Sequence, residues 1–373
     1  MSQSRARIVN VTISPFTIDI PQADLDDLRD RLARTRRTPR EVHDWSRGTQ
    51  TDALDALLAH WAGPYDWRAA EARLNALGEH VMVDVDGIRI HAVRAGTPGK
   101  TPLLLIHGWP DGFWRFAAAL PLLAERFELV IPSIPGYGFS ERPSEPTGPA
   151  AMGELFARLM TALGHARFGV HGGDIGCTIA EQLALRHPDR IIALHLGDCP
   201  LHRPRELKAD ELTDDDREWM ARLSLWDTAE AAYSRLQRTK PQTLAVALDD
   251  SPAALAAWIL EKFHGWSESI ESFSLDDLCT NLTVYWITRT GGSSAHYYYD
   301  NAHSELGTGF VATPTAFAQF PHDILPAPRS SVERWFDVRR FTEFERGGHF
   351  GPWEAPEPWA TDVIAYFNDV IQP

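Results

Sequence analysis

Cysteine is scarce in this chain: Cys177, Cys199 and Cys279 are the only three among 373 residues, and they lie far apart. That number and spacing supply neither a disulfide framework nor a zinc site, and they suit a reducing compartment. Positive charge is also in deficit, with 36 lysines and arginines against 51 aspartates and glutamates, a net charge of −15. A surface of that sign disfavours nucleic acid and anionic membranes as partners and favours a neutral substrate over a polyanion. Met1 to Asn10 lacks the apolar run of a signal peptide or membrane anchor. Repeats of fixed period and low-complexity segments are missing too. These absences lead to the expectation of a soluble, cytoplasmic protein. What the chain has is core material: 44% hydrophobic residues and 13 tryptophans. At this length that is enough for one large α/β domain with an inserted lobe, or for two domains.

Hydrophobic period divides the chain. Ser14 to Asn75 reads as helical: Leu25, Leu28 and Leu32 recur at helical spacing, and Trp45, Trp61 and Trp67 fall in a second helical stretch. The basic run Arg34 to Arg40 suits a solvated helix C-terminus. From His80 the period becomes two, and Val81–Val85 and Ile88–Val93 flank Asp86-Gly87, a hairpin signal. Leu103–Ile106, Leu129–Ile131 and Ile191–Leu194 read as buried parallel strands. They alternate with helical stretches near Phe116–Glu125, Ala151–Leu163 and Cys177–Arg186, which predicts a parallel sheet covered on both faces. The alternation stops after Cys199-Pro200, and Leu201 to about Phe310 reads as a helical lobe. Strand signals return at Val311–Ala318 and Val338–Phe344, and Trp359–Ile371 reads as a closing helix.

The chemistry concentrates at Gly172-Gly173-Asp174-Ile175-Gly176-Cys177, a strand-to-helix turn flanked by small residues. Such a turn exposes its central side chain as a nucleophile, and here that residue is a carboxylate. The alternative is a turn whose Asp174 merely caps the helix. A nucleophilic aspartate attacks alkyl-like carbon, giving an ester that is then hydrolysed, so epoxides or alkyl halides fit better than esters or amides. His349 follows the last strand and precedes the last helix, where a water-activating base would sit. Asp323, after the strand that starts at Val311, could orient it, or be a turn residue after Pro321. The N–H groups of Trp109, in His107-Gly108-Trp109-Pro110, and of Ile175 would converge on the ester oxyanion. Phenols could donate to a leaving oxygen at pH 7. The lobe offers Tyr233, Tyr285, Tyr297, Tyr298 and Tyr299, and sequence logic does not choose among them.

Together these motifs closely resemble the microsomal-type epoxide hydrolases of the α/β-hydrolase superfamily, over nearly the whole chain. Pro15–Pro21 and its following helix resemble the family's wrapping segment, and Gly172-Gly173-Asp174 its nucleophile. Tyr233–Pro241 resembles the motif that begins with one catalytic tyrosine, and Ser293–Tyr298 the motif that ends with the other. Phe317–Asp323 matches the acid segment, and Arg346–Phe350 with Glu354–Glu357 the histidine segment. The resemblance implies an α/β-hydrolase fold: a wrapping segment over 1–78, a core in two parts at 79–200 and 311–373, and a helical cap domain over 201–310. It implies catalytic roles for Asp174, Asp323, His349, Tyr233 and Tyr298, and no metal or organic cofactor. Its partners would be an apolar epoxide and water, with a homodimer left open. The aromatic-rich lobe points to a bulky substrate of the secondary-metabolite kind. Three departures stand out: Ile175 replaces the family's usual tryptophan, Asp323 replaces the glutamate of mammalian relatives, and the mammalian membrane anchor has no counterpart. The rival readings are a haloalkane or haloacid dehalogenase, which would want tryptophan or asparagine halide donors, and a non-catalytic binding protein.

Overall fold

The computed structural model describes residues 12–39 and 42–371. Met1 to Asn10 and Arg40 therefore lie outside the described residues. Among these residues, nine strands form a single sheet: β1 Ile13–Pro15, β2 Glu79–Val85, β3 Ile88–Gly96, β4 Thr101–Ile106, β5 Phe127–Pro132, β6 Phe168–Gly172, β7 Ile191–Leu196, β8 Val311–Gln319 and β9 Phe336–Glu343. The order is β1-β2-β3-β5-β4-β6-β7-β8-β9. β1, β2 and β3 pair antiparallel, as does β3 with β5, and every later pairing is parallel. The hairpin between β2 and β3 turns at Asp86 (φ 55°) and Gly87 (φ 86°), the two left-handed residues a tight two-residue turn requires.

The central strands β4, β5, β6 and β7 are buried almost throughout, as their unbroken apolar runs require of a sheet covered on both faces. Helices Pro149–Ala162, Ile175–Arg186 and Pro356–Ile371 bury their apolar stripes in that covering. This is the α/β-hydrolase fold, with a mixed sheet and helices on both sides. Between β7 and β8 the chain makes six helices, from Asp214–Ala229 to Thr290–Ala302.

The N-terminal region differs in detail from its helical reading. β1 precedes the helices Gln22–Ala33, Thr51–Ala62 and Trp67–Asn75, and Trp45 sits in a loop, stacked on His264 at 3.9 Å. Trp45 is anchored by that tertiary contact, which helical spacing does not reveal. Between β4 and β5 the expected helix is broken into a 3₁₀ turn Phe113–Phe116 and a short helix Leu120–Ala124. The N-terminal helices tie to the inserted helices through polar contacts. Trp61 donates to Thr283 at 2.9 Å, Tyr65 to Thr280 at 3.1 Å, and Thr49 to the Ala257 carbonyl at 2.6 Å. No single described helix is long and apolar enough to cross a membrane; Pro241–Asp250 and Pro252–Trp266 reach that length only jointly, across a 114° bend.

Candidate active site

Asp174 occupies the turn between β6 and helix Ile175–Arg186, with φ 56° and ψ −127°. That conformation is costly for a residue with a β-carbon and is typical of a nucleophile held by its surroundings. The turn closes only because its neighbours are small: a β-carbon on Gly172 would lie 2.3 Å from the Gly176 carbonyl oxygen. A β-carbon on Gly108 would lie 2.3 Å from that of Asp174 itself. The capping alternative does not hold, since the Asp174 side chain makes no cap hydrogen bond. Its Oδ1 instead accepts the Trp109 N–H at 2.8 Å. The Ile175 N–H takes no protein acceptor among the described residues.

His349 lies in the loop after β9, with Nε2 3.5 Å from Asp174 Oδ2 and without a hydrogen bond of its own. Its Nδ1 bonds Asp323 Oδ1 at 2.8 Å, and Asp323 lies in the loop after β8. The histidine loop is fixed from several sides. His349 N–H donates to the Trp266 carbonyl at 2.7 Å, and the His349 carbonyl accepts from buried Arg115 at 3.0 Å. Glu354 accepts the N–H groups of Gly348 and Phe350, both at 3.1 Å. Arg115 also pairs with buried Asp111 at 2.9 Å, and Asp111 accepts the Gly108 N–H at 3.2 Å. One ion pair thus joins the Trp109 loop to the histidine loop.

Asp174, Ile175, His349, Tyr233 and Tyr298 line one cavity of about 440 Å³. Tyr233 is on helix Ala232–Gln237 and Tyr298 on helix Thr290–Ala302, with ring centroids 6.1 Å apart. The other lobe phenols are elsewhere. Tyr285 donates to the Asp111 carbonyl at 2.9 Å, Tyr297 faces a different cavity, and Tyr299 is 38% exposed. Geometry therefore separates the pair that the resemblance selected from its neighbours.

Comparison with known proteins identifies the family. Residues 13–116 match the family described as epoxide hydrolase N terminus, and residues 101–242 match the alpha/beta hydrolase fold. Epoxide hydrolase 1 of Oryctolagus cuniculus is 32% identical, across 95% of this chain and 88% of that protein. The chain belongs to the epoxide hydrolase family. Solved relatives include the epoxide hydrolase of Aspergillus niger, 29% identical over 96% of this chain and 97% of its own, with a TM-score of 0.85. The juvenile hormone epoxide hydrolase of Bombyx mori is 28% identical over 97% and 96% of the two chains, also with a TM-score of 0.85.

Within this epoxide hydrolase the sequence reading missed Asp198, just past the end of β7. Its Oδ2 accepts the Asp174 N–H at 2.7 Å, and its Oδ1 is 3.8 Å from His349 Nδ1. It also hydrogen-bonds Asp323. Burial, and then the charge of Asp323, push the Asp198 carboxyl well above the usual range. Burial works the same way on Asp323, but the charge and hydrogen bond of His349 outweigh it and hold Asp323 low. Two carboxyl groups in contact favour sharing one proton, with Asp198 the group whose proton is held and Asp323 the group kept low. Burial alone would lower the His349 imidazole, yet Asp323, Asp174 and Asp198 together hold it well above its ordinary value. Burial, followed by the Asp174 charge, raises the Tyr233 phenol. For Tyr298, burial comes first and Tyr233 and Asp174 follow. Both phenols are thus protonated donors at neutral pH. Asp198, Asp323 and His349 present donor atoms within 4.8 Å of one another, a spacing that could hold a metal ion, but hydrogen bonds among the three already join them. The useful signal for Asp198 was its place at the carboxyl end of a central parallel strand, where open α/β sheets put their sites.

Proposed function

We propose that this epoxide hydrolase attacks an oxirane carbon with Asp174 and releases a vicinal diol by hydrolysing the resulting aspartyl ester. The observation that carries the reading is the setting of the Asp174 carboxylate. Oδ1 is held by the Trp109 N–H at 2.8 Å, while Oδ2 faces a cavity shared with two protonated phenols and His349. In the first half-reaction the C–O bond breaks with its electron pair on oxygen, which takes a proton from Tyr233 or Tyr298. Two phenols lining the same cavity as the Asp174 carboxylate favour an epoxide over an alkyl halide.

The free enzyme holds His349 as an imidazolium beside the Asp174 carboxylate. Esterification removes that negative charge, so the imidazole pKa falls and its proton passes toward the phenolate left by ring opening. Neutral His349, oriented by Asp323, then takes a proton from water, and hydroxide adds to the ester carbonyl. The N–H groups of Trp109 and Ile175 hold the oxyanion. Collapse expels the diol, whose oxygen takes the proton of the tetrahedral adduct, and regenerates the Asp174 carboxylate and His349 imidazolium.

The same reading assigns residues 1–78 to a wrapping segment, 79–200 and 311–373 to the catalytic core, and 201–310 to a cap that delivers the phenols. It takes the substrate as a bulky apolar epoxide and the enzyme as cytoplasmic and able to dimerise. The test is single turnover of an aryl epoxide such as styrene oxide in heavy-oxygen water, with rapid quench. The peptide containing Asp174 should gain substrate mass in the His349→Gln variant, and in wild type its carboxylate should gain the label. Heavy oxygen in the diol after one turnover, with none in the peptide, overturns the carboxylate attack.

A further inference from the structure

Lys262 is 4% exposed, on helix Pro252–Trp266 of the inserted lobe, and it does not line the active-site cavity. Its Nζ lies over the face of the Tyr233 ring, 4.4 Å from the centroid, and 5.7 Å from the Trp266 ring. Its ion-pair partner is Glu261, the adjacent residue, whose side chain is 26% exposed. Tyr233 also stacks on Trp109, at 5.2 Å with 6° between the planes. Tyr233 therefore contacts both the residue whose N–H holds Asp174 and a buried ammonium. Burying an ammonium is expensive, and a methionine of similar length would fill the space without that cost. The charge itself needs a reason.

We infer that Lys262 is a positioning residue for ring opening, its ammonium stabilising the negative charge that grows on the Tyr233 phenol as the proton passes to the oxirane oxygen. The inference rests on the phenol role proposed above. A cation on an aromatic face is attracted to the ring in the ground state and more strongly once the ring carries phenolate charge. The difference lowers the barrier to alkylation, and hydrolysis of the ester gains nothing from it. Glu261 opposes the effect, because its carboxylate partly cancels the ammonium as felt at Tyr233 and burdens phenol ionisation.

These opposed signs define the experiment. Ester formation by wild type on styrene oxide is measured first by rapid quench; its absence would count against the epoxide chemistry and leave the lysine question behind it. Lys262→Met should then alkylate roughly tenfold more slowly, with ester hydrolysis unchanged. The loss should shrink along a series of epoxides whose electron-withdrawing substituents stabilise the leaving oxygen, since these need less proton donation. Lys262→Arg should stay within about threefold of wild type by keeping the charge. Glu261→Gln should alkylate as fast as wild type or faster, although it breaks the same ion pair and lowers thermal stability. A purely structural ion pair predicts the reverse: Lys262→Met and Glu261→Gln both slow, in proportion to lost stability. That result, a Lys262→Arg defect equal to Lys262→Met, or a loss confined to hydrolysis overturns the inference. If Lys262→Met fails to fold, the sign of the Glu261→Gln effect on alkylation still decides.

Discussion

Replacing Asp198 by asparagine tests whether that half-buried carboxyl is neutral. Asp198 Oδ2 accepts the Asp174 N–H at 2.7 Å, and the group hydrogen-bonds Asp323. If the shared proton sits on Asp198, an amide reproduces both contacts, with its oxygen toward Asp174 N–H and its NH₂ toward Asp323. Turnover of Asp198→Asn should then stay within about threefold of wild type. The ionised alternative predicts a very different number. A carboxylate 3.8 Å from His349 Nδ1 would contribute roughly 4 kcal/mol to the imidazolium at an effective dielectric near 20. Removing it would shift the histidine by about three pKa units, up to about 10³ in rate where that proton matters. Asp198→Ala should be damaging on either view, because it strands the amide of a strained residue. A buried unsatisfied N–H costs roughly 1–3 kcal/mol, or about 5- to 150-fold in rate if the turn relaxes.

The assay is diol formation from pH 5 to 9.5, with thermal melts over the same range. Because the folded pKa of Asp198 is raised above its unfolded value, the native state binds its proton more tightly. Stability from this group is therefore full at low pH and declines as pH rises through the window between the unfolded and folded values. Activity should fall on the alkaline side as Asp198 ionises and stops donating to Asp323. Asp198→Asn should lose both declines. A variant at least a hundredfold slower than wild type at pH 7, with native thermal stability, refutes the neutral assignment.

Other expectations are direct. Tyr233→Phe and Tyr298→Phe should each slow alkylation by less than the roughly 10²–10³ of an unreplaced transition-state donor, and the double variant by much more; Tyr297→Phe and Tyr299→Phe are the mild controls. Near wild-type epoxide turnover in the double variant would reopen the dehalogenase reading. Away from the site, Asp362 is buried and bonded by His195 at 3.1 Å, Arg340 at 2.6 Å and Thr342 at 2.7 Å. Burial raises its carboxyl, but these partners, His195 foremost, bring it down to about 2. Its contribution is thus present above the unfolded carboxylate pKa and lost as pH falls through about 2. Asp362→Ala should lower Tm by on the order of 10 °C at pH 7, and by less at pH 3; an equal loss at both would show that packing, and no charge, is at stake.

Much of the sheet was legible because its signals are local. Asp86-Gly87 announces a turn that needs two left-handed residues, and the apolar runs of β4, β5 and β7 announce strands with no solvent face. The elbow was legible for the same reason: Gly172 and Gly176 exclude side chains from a space only a few residues across. Trp45 misled because an isolated tryptophan at roughly helical spacing looks the same whether it packs on its own helix or, as here, on His264 of the lobe. The tyrosines were a harder case. Tyr297, Tyr298 and Tyr299 are chemically identical and adjacent, and helical rotation of about 100° per residue sends each to a different place: one cavity, the active site, and solvent. Only family resemblance separated them beforehand.

The supporting groups were illegible for a deeper reason. Asp198 matters because it meets Asp323 and the Asp174 amide, contacts made across three separate strand ends. Lys262 matters because it lies behind Tyr233, and Arg115 because it reaches the carbonyl of His349, 234 residues later. Asp198 offers only its place after a central strand, and nothing beside Lys262 in sequence marks it, since a lysine in a helix is ordinary until burial makes its charge costly. Asp174 and His349 leave a local trace because the turns that expose them carry glycine on either side. The groups that set their protonation leave a trace only in the fold, in contacts between segments far apart in sequence. It follows that substitution at Asp198 or Lys262 should alter pH dependence and the balance of the two half-reactions before it alters which bond is broken, whereas substitution at Asp174 should abolish the chemistry outright. Opposite behaviour, with Asp174→Ala still releasing diol, would move the nucleophile elsewhere and undo the ordering of roles argued from the geometry.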